Sequence, residues 1–300
     1  MTSKPMTAVT PVPAEKAPTR FWSAFSGKLV NTLIYLFLSL WALIVIFPMV
    51  WVVVTSFKTD QEIFFSPWLP PAQLMFDNFV RAWTKANIGL YLFNSLVVIL
   101  PSIFFTLLFS AMAGYVLARF TFPGNRVIFY AFLGGMLFPV MLALVPLYFL
   151  LLSMKIIDSH FGLILVYIAY SLPFTVFFMT GFFKTLPGEL LEAAIIDGAN
   201  HYQLFFNIVL PLSKNGLVSM GIFNFLGMWN QYILPLVLLT TATKYVLSQG
   251  LAFLQHQQRY QSDWSGLFAA IVIVMVPTLI VYIIFQNQIQ RGLTVGALKG

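Results

Sequence analysis

Residues able to do chemistry are few in this 300-residue chain, and they gather in one stretch. Positions 186–212 read LPGELLEAAIIDGANHYQLFFNIVLPL and hold Glu189, Glu192 and Asp197, three of the nine acidic residues. Their surroundings argue against catalysis. The chain has no cysteine, which excludes disulfides, thiol catalysis and cysteine-ligated metals. His160, His201 and His256 stand far apart, and none sits in an HExxH or HxxxH pattern, so no metal site is expected. There is no nucleophile–base constellation, and no GxxxxGK[ST] loop to cradle nucleotide phosphates. Two roles remain for Glu189 and Glu192: favouring the positive N-terminal end of a surface helix, or docking on an external partner.

Local pattern says how the stretch is built. Pro187 suits the first turn of a helix, and Leu190, Leu191, Ala194 and Ile195 make one apolar face. Gly198 falls where a helix end calls for positive φ. Asn200 is placed to cap a second helix, with Gln203 three residues on as a capping-box partner. In that helix Tyr202, Phe205, Phe206 and Val209 recur at i, i+3, i+4 and i+7, and Pro211 is expected to end it. The segment 184–215 therefore reads as helix, glycine turn, helix, lying at a membrane surface.

The membrane follows from composition. The chain is 60% hydrophobic and 8% charged, against about 25% charged in a soluble domain. Six runs are long enough to span a bilayer: roughly 30–56, 92–118, 127–152, 161–183, 216–241 and 265–288. None contains Asp, Glu, Lys, Arg or His. They lack the alternation of barrel strands, so helices are expected. Residues 1–28 read as a disordered tail, 29–290 as the transmembrane domain and 291–300 as a second tail. The uncharged run 29–57 is too long for a signal peptide. With the N-terminus inside, inner segments carry ten Lys and Arg residues and outer segments six, which favours both termini in the cytoplasm. The net charge of +7 belongs to this bias and not to nucleic acid.

Two outer segments are polar. Residues 58–91 carry Pro67, Pro70, Pro71, Trp68 and Trp83 among mixed charges and read as an ordered loop over the outer mouth. Residues 242–264 bring Gln255, Gln258, Tyr260, Asp263 and Trp264 together. They suit contacts to a carbohydrate or a protein, and equally a solvated loop with interfacial anchors. Internal prolines (Pro48, Pro101, Pro139, Pro146, Pro173, Pro235 and Pro277) mark possible kinks in the spans.

Glu192-Ala193-Ala194-Ile195-Ile196-Asp197-Gly198-Ala199, followed by Phe206, Leu210, Pro211 and Leu212, resembles the EAA loop of bacterial ABC-importer permeases. Asn94-Ser95 at the start of the second run, Trp229-Asn230-Gln231-Tyr232 in the fifth, and the ending Gly292-Leu293-Thr294-Val295-Gly296-Ala297-Leu298-Lys299-Gly300 resemble the maltose-type carbohydrate-permease branch. One departure is Asn215, where many members carry proline. The resemblance implies an all-α integral membrane protein with six transmembrane helices in the type I ABC-importer permease fold, in a bacterial cell membrane. It implies a second permease chain, a dimeric cytoplasmic ATPase that uses ATP and Mg, and an extracytoplasmic sugar-binding protein. No cofactor is implied for this chain. Glu189, Glu192, Ala193, Ala194, Asp197, Gly198 and Ala199 would couple to the ATPase, and Gly292, Gly296, Lys299 and Gly300 would form a C-terminal contact.

For the path of an uncharged sugar the candidates are Asn224, Trp229, Asn230, Gln231 and Tyr232, whose other reading is helix-to-helix hydrogen bonding. The competing function is an ion-coupled secondary transporter of a neutral solute. Such proteins keep ionisable residues within their spans, at a cost of roughly 2.5–3.5 kcal/mol each at mid-membrane. The six runs have none, and no internal repeat relates the two halves.

Overall fold

A computed structural model describes the backbone of residues 20–297, and the side chains of that range other than 20–27, 258–261 and 289–297. Its regular structure is helical throughout, with no strand among the described residues. The elements are α1 (Arg20–Thr55), α2 (Asp60–Phe65), α3 (Asp77–Thr84), α4 (Ile88–Arg119), α5 (Asn125–Leu137), α6 (Val140–Ser153), α7 (His160–Lys184) and α8 (Gly188–Ile196). A one-turn α9 (His201–Gln203), a π-turn (Leu204–Val209) and a one-turn α10 (Leu210–Leu212) follow. The chain then forms α11 (Lys214–Trp229), α12 (Ile233–Leu238), α13 (Leu247–Gln261) and α14 (Trp264–Ala297). Helix α1 begins at Arg20 and α14 runs to Ala297, so helical backbone extends into both segments expected to be tails.

The chain divides into a unit ending at Trp51 and a second beginning at Val52. The first is the greater part of α1, whose apolar side chains from Leu29 to Phe47 are exposed, as lipid-facing residues are. In the second, α4 and α7 are the central pair. Around them are two apolar clusters. One gathers Ile88, Tyr91, Val98, Leu163, Tyr167, Leu234, Leu238 and Leu247. The other gathers Ala111, Tyr115, Met179, Phe183, Leu191, Ala194, Phe205 and Val209, and so lies beneath the 184–215 segment.

Among the described residues four helices are long and apolar enough to cross a membrane: Lys28–Thr55, Ile88–Arg119, His160–Lys184 and Trp264–Gln288. A fifth crossing requires counting α5 and α6 together. The third expected run, 127–152, is bent by 101° between these two helices. Pro139 explains the break. It pushes Phe138 to φ −77°, ψ 119° and begins α6 as an extended cap. The fifth expected run, 216–241, is also broken, at residues 230–232. Pro235 sits in the first turn of α12, where its missing N–H costs nothing. The carbonyl of Gln231, four residues before it, is taken by the Ser248 hydroxyl at 2.6 Å.

Segment 242–264, expected as a polar loop, is mostly helix α13. Its glutamines conceal an apolar stripe: Val246, Leu247 and Leu254 are buried. Gly250 lies so close to α4 that a Cβ there would come within 2.0 Å of the Tyr91 ring. The 58–91 segment is ordered as expected. Thr59 and Glu62 form a capping box on α2, and the buried Lys58 ammonium donates to the carbonyls of Ser66 and Pro67 at 3.1 and 2.9 Å.

Candidate functional site: a coupling surface and a cavity between broken helices

The 184–215 segment forms by local rules. Gly198 has φ +87°, and its amide donates to Ile195 O while that of Ala199 reaches Ala194 O, both at 3.0 Å. This pair of bonds is the Schellman ending of α8, with Asp197 as its C-cap residue. Asn200 and Gln203 exchange the two capping-box bonds at 2.9 and 3.0 Å. Pro211 does not end the second helix as expected. The backbone stays helical through Leu212 because the preceding π-turn, closed by the Leu210 amide on Phe205 O, widens the chain ahead of the proline ring.

The same π-turn changes which residues face inward. Phe205 and Val209 are buried, whereas Tyr202 and Phe206 are exposed. In α8, Leu191 and Ala194 point in, while Leu190, Ile195 and Ile196 point out, so the expected single apolar face is two faces. The inward face packs on Tyr115 of α4, whose ring lies 5.5 Å from Phe205 and 5.9 Å from Phe183. The ring of Phe120 meets His201 at 5.6 Å. Arg119 donates through Nη2 to the Leu186 carbonyl, just ahead of α8.

The outward face is a protruding apolar surface of Leu190, Ile195, Ile196 and Tyr202, with Ile196 84% exposed and Tyr202 79% exposed. Glu189, Glu192, Ala193, Asp197 and Gly198 stand on it or beside it, mostly exposed, and Ala199 is half-buried behind the turn. None of the ion pairs among the described residues involves Glu189, Glu192 or Asp197. A contiguous exposed apolar patch edged by carboxylates is a candidate docking surface.

A second feature lies where the two helix breaks approach each other. A cavity of about 330 Å³ is lined by Gly135, Met136 and Phe138 of the bent pair, by Tyr167, Tyr170, Ser171, Pro173 and Phe174 of α7, and by Phe223, Asn224, Gly227 and Met228 of α11 with Gln231. Asn224 donates to the Thr175 hydroxyl at 3.1 Å, and the rings of Phe174 and Phe223 lie 4.7 Å apart. The buried Tyr167 hydroxyl has no hydrogen-bond partner among the described residues. Of the five expected path residues, the structure places Asn224 and Gln231 on the cavity. It places Trp229 in the core instead, stacked on Phe225 at 5.2 Å and donating to Val274 O at 3.3 Å. Asn230 turns back to Leu226 O at 2.8 Å, and Tyr232 does not reach the cavity. The α7 residues were missed, although Tyr167, Tyr170, Ser171 and Phe174 follow the i, i+3, i+4, i+7 spacing of one helical face.

Among the residues expected to face a binding protein, Gln255 is exposed. Asp263 and Trp264 serve the fold. Asp263 pairs with Arg81 and accepts the Gly266 amide at 3.0 Å at the start of α14, and the Trp264 ring packs edge-on against Phe64 at 6.0 Å. The side chains of Gln258 and Tyr260 lie outside the described residues, as do Lys299 and Gly300. Gly292 and Gly296 fall in the backbone of α14.

The chain matches relatives over nearly its whole length. It is 45% identical over 277 residues to the diacetylchitobiose uptake system permease protein NgcG of Streptomyces coelicolor, covering 92% of each chain. It is 34% identical to the arabinooligosaccharides transport system permease protein AraQ of Halalkalibacterium halodurans, covering 86% of this chain and 93% of the other. Among solved structures, a chain of a bacterial ABC transporter that imports the acidic polysaccharide alginate superposes with a TM-score of 0.77 at 20% identity, over 91% of this chain and 99% of that one. The family described as the binding-protein-dependent transport system inner membrane component matches residues 90–295, and this chain belongs to it.

Proposed function

We propose that the protein is the membrane-spanning permease subunit of an ATP-driven sugar importer. Its 184–215 segment docks on a separate cytoplasmic ATPase, and a binding protein delivers the sugar at the opposite side. The observation that carries this reading is the coupling surface: a glycine-turned helix pair, seated on α4 and α7, that presents Ile195, Ile196 and Tyr202 beside unpaired Glu189 and Glu192. The substrate class comes from the carbohydrate permeases to which the chain is similar.

In this reading the chain crosses the membrane six times, with α5–α6 and α11–α12 as broken crossings and both termini cytoplasmic. The bias of basic residues supports that orientation. Its partners are a second, different permease chain and a pair of ATPase subunits that bind ATP and Mg. The cavity between the breaks is a sugar-passing site. Amides and hydroxyls of Asn224, Gln231, Ser171 and Tyr167 meet sugar hydroxyls, and the rings of Tyr170 and Phe174 meet the C–H faces. The ion-coupled reading is not favoured, because the family is one of binding-protein-dependent systems.

The test is to purify the chain with its partners and assay ATP hydrolysis with binding protein. A panel including diacetylchitobiose and arabino-oligosaccharides should contain a sugar that raises the rate. A chain that brings down no ATPase, or an ATPase indifferent to every loaded binding protein, overturns the proposal.

A further inference from the structure

Helix α4 is held at both ends by side chains whose partners are backbone groups of loops. At its C-terminal end Arg119 donates to the Leu186 carbonyl, at the start of the coupling segment. Near its N-terminal end Asn94, 4% exposed, donates from Nδ2 to the carbonyls of Thr243 and Tyr245 at 2.9 and 3.0 Å. The adjoining Ser95, 3% exposed, accepts the Leu247 amide at 2.7 Å on Oγ. That amide belongs to the first residue of α13. Between these grips the backbone stays helical, with Pro101 inside it, a span of about 36 Å at the usual rise.

From these contacts we infer that Arg119, Asn94 and Ser95 are positioning residues that make α4 a transmission rod, coupling displacement of α8 to the loop that starts α13. This rests on the function proposed above. The chemistry suits load-bearing. Each contact ends on a backbone carbonyl or amide, so it moves the main chain of the loop and not a flexible side chain. The Leu247–Ser95 bond is buried and the Asn94 and Arg119 bonds are part-buried, and a shielded hydrogen bond resists slippage because breaking it leaves polar groups unpaired. Asn94 bonds two carbonyls two residues apart, which fixes the loop's direction as well as its position. Apolar packing reinforces both ends, with Tyr115 against Phe205 at one and Tyr91 against Gly250 at the other. A continuous helix gripped in this way is a physical route by which an inner partner and an outer partner bias one another.

The test uses the complete transporter in lipid vesicles. Basal ATP hydrolysis, its stimulation by binding protein loaded with the sugar that stimulates the wild type, and sugar moved per ATP are all measured. Arg119→Met and Asn94→Leu should keep basal hydrolysis while stimulation falls about fivefold. Arg119→Lys, which retains a donor, should recover much of the loss, a recovery that mere loss of packing does not predict. If Asn94→Leu does not assemble, Ser95→Ala decides. If Arg119→Met does not assemble, Arg119→Gln decides. A fall in stimulation supports the rod, and none overturns it. Full stimulation in the variants, or a fall of basal and stimulated rates in the same proportion, overturns the inference while leaving the proposed function standing. An unstimulated wild-type complex overturns the proposed function itself.

Discussion

Arg81 Nη2 lies 3.0 Å from Asp263 Oδ1, joining two residues 182 positions apart. Arg81 also bonds Asp77 at 2.6 Å and the Asn78 and Ser265 oxygens at 3.0 Å, so one guanidinium ties α3 to the start of α14. Burial alone would raise the Asp263 carboxyl. Arg81, the Gly266 amide and the Ser265 hydroxyl outweigh burial and hold it below its ordinary value. A carboxyl depressed in the folded state stabilises above its unfolded value, and that contribution is lost as pH falls through the folded value. Asp263→Ala should therefore lower stability at neutral pH by about 0.5–1 kcal/mol, a modest figure because the pair is partly exposed. The variant and wild type should converge below the ordinary carboxylate range. Thermal midpoints of the solubilised protein across pH test this, and a gap that persists undiminished in strong acid contradicts it.

Gly198 should tolerate few replacements. Its φ of +87° is costly for residues with a Cβ, yet no atom stands within 4 Å of where a Cβ would go. The penalty is thus in the backbone, roughly 1–2 kcal/mol and largest for β-branched residues. Gly198→Val is expected to abolish sugar uptake while the protein still inserts, and Gly198→Asn to retain measurable uptake. Equal uptake by both variants would contradict a requirement for the left-handed turn.

Glu192→Ala removes an exposed carboxylate that has no ion-pair partner among the described residues. It should leave thermal stability within about 0.5 kcal/mol of wild type. Uptake and ATPase co-purification should fall sharply, since the absent partner charge is left unpaired at the interface. A stability loss with normal co-purification would assign Glu192 to helix capping instead.

Trp229 should separate cleanly from Tyr170 and Gln231. Trp229 is buried among core side chains, so Trp229→Ala is expected to cost about 3–5 kcal/mol and to show chiefly as loss of folded protein. Tyr170→Ala and Gln231→Ala border the cavity and should instead raise KM for uptake at near-normal expression. Uptake kinetics beside thermal midpoints distinguish the two classes.

Gly250→Ala places a methyl group within 2.0 Å of the Tyr91 ring. The overpacking should destabilise by about 1–3 kcal/mol. Tyr91→Phe does not relieve it, whereas a Tyr91→Ala background should reduce the penalty in a double-mutant cycle on the thermal midpoint. An unchanged penalty in that background would mean that α13 does not rest on α4 at this point.

The sequence by itself determined the features that depend on neighbours a few residues away. The turn at Gly198, the Asn200–Gln203 box and the helical character of the long apolar runs are all local, because caps and helix bonds join residues three to five apart. The helix–turn–helix geometry of 184–215 was legible for that reason, along with the family resemblance its residues carry. Tertiary structure decided the rest. Seven prolines marked possible kinks alike, and the sequence did not say that the runs holding Pro139 and Pro235 would break while Pro48, Pro101, Pro146, Pro173 and Pro277 stay within helices, nor that the two breaks meet at a cavity. The stretch 229–232 looked like a run of path residues, yet only Gln231 lines the cavity, because Trp229 finds its acceptor on Val274, 45 positions away. The π-turn turned Phe206 outward against its helical spacing. The pairing of Asp263 with Arg81, 182 positions away, was likewise out of reach of local pattern. In each case periodicity names a helix, but the direction of a side chain near a break is fixed by partners far along the chain.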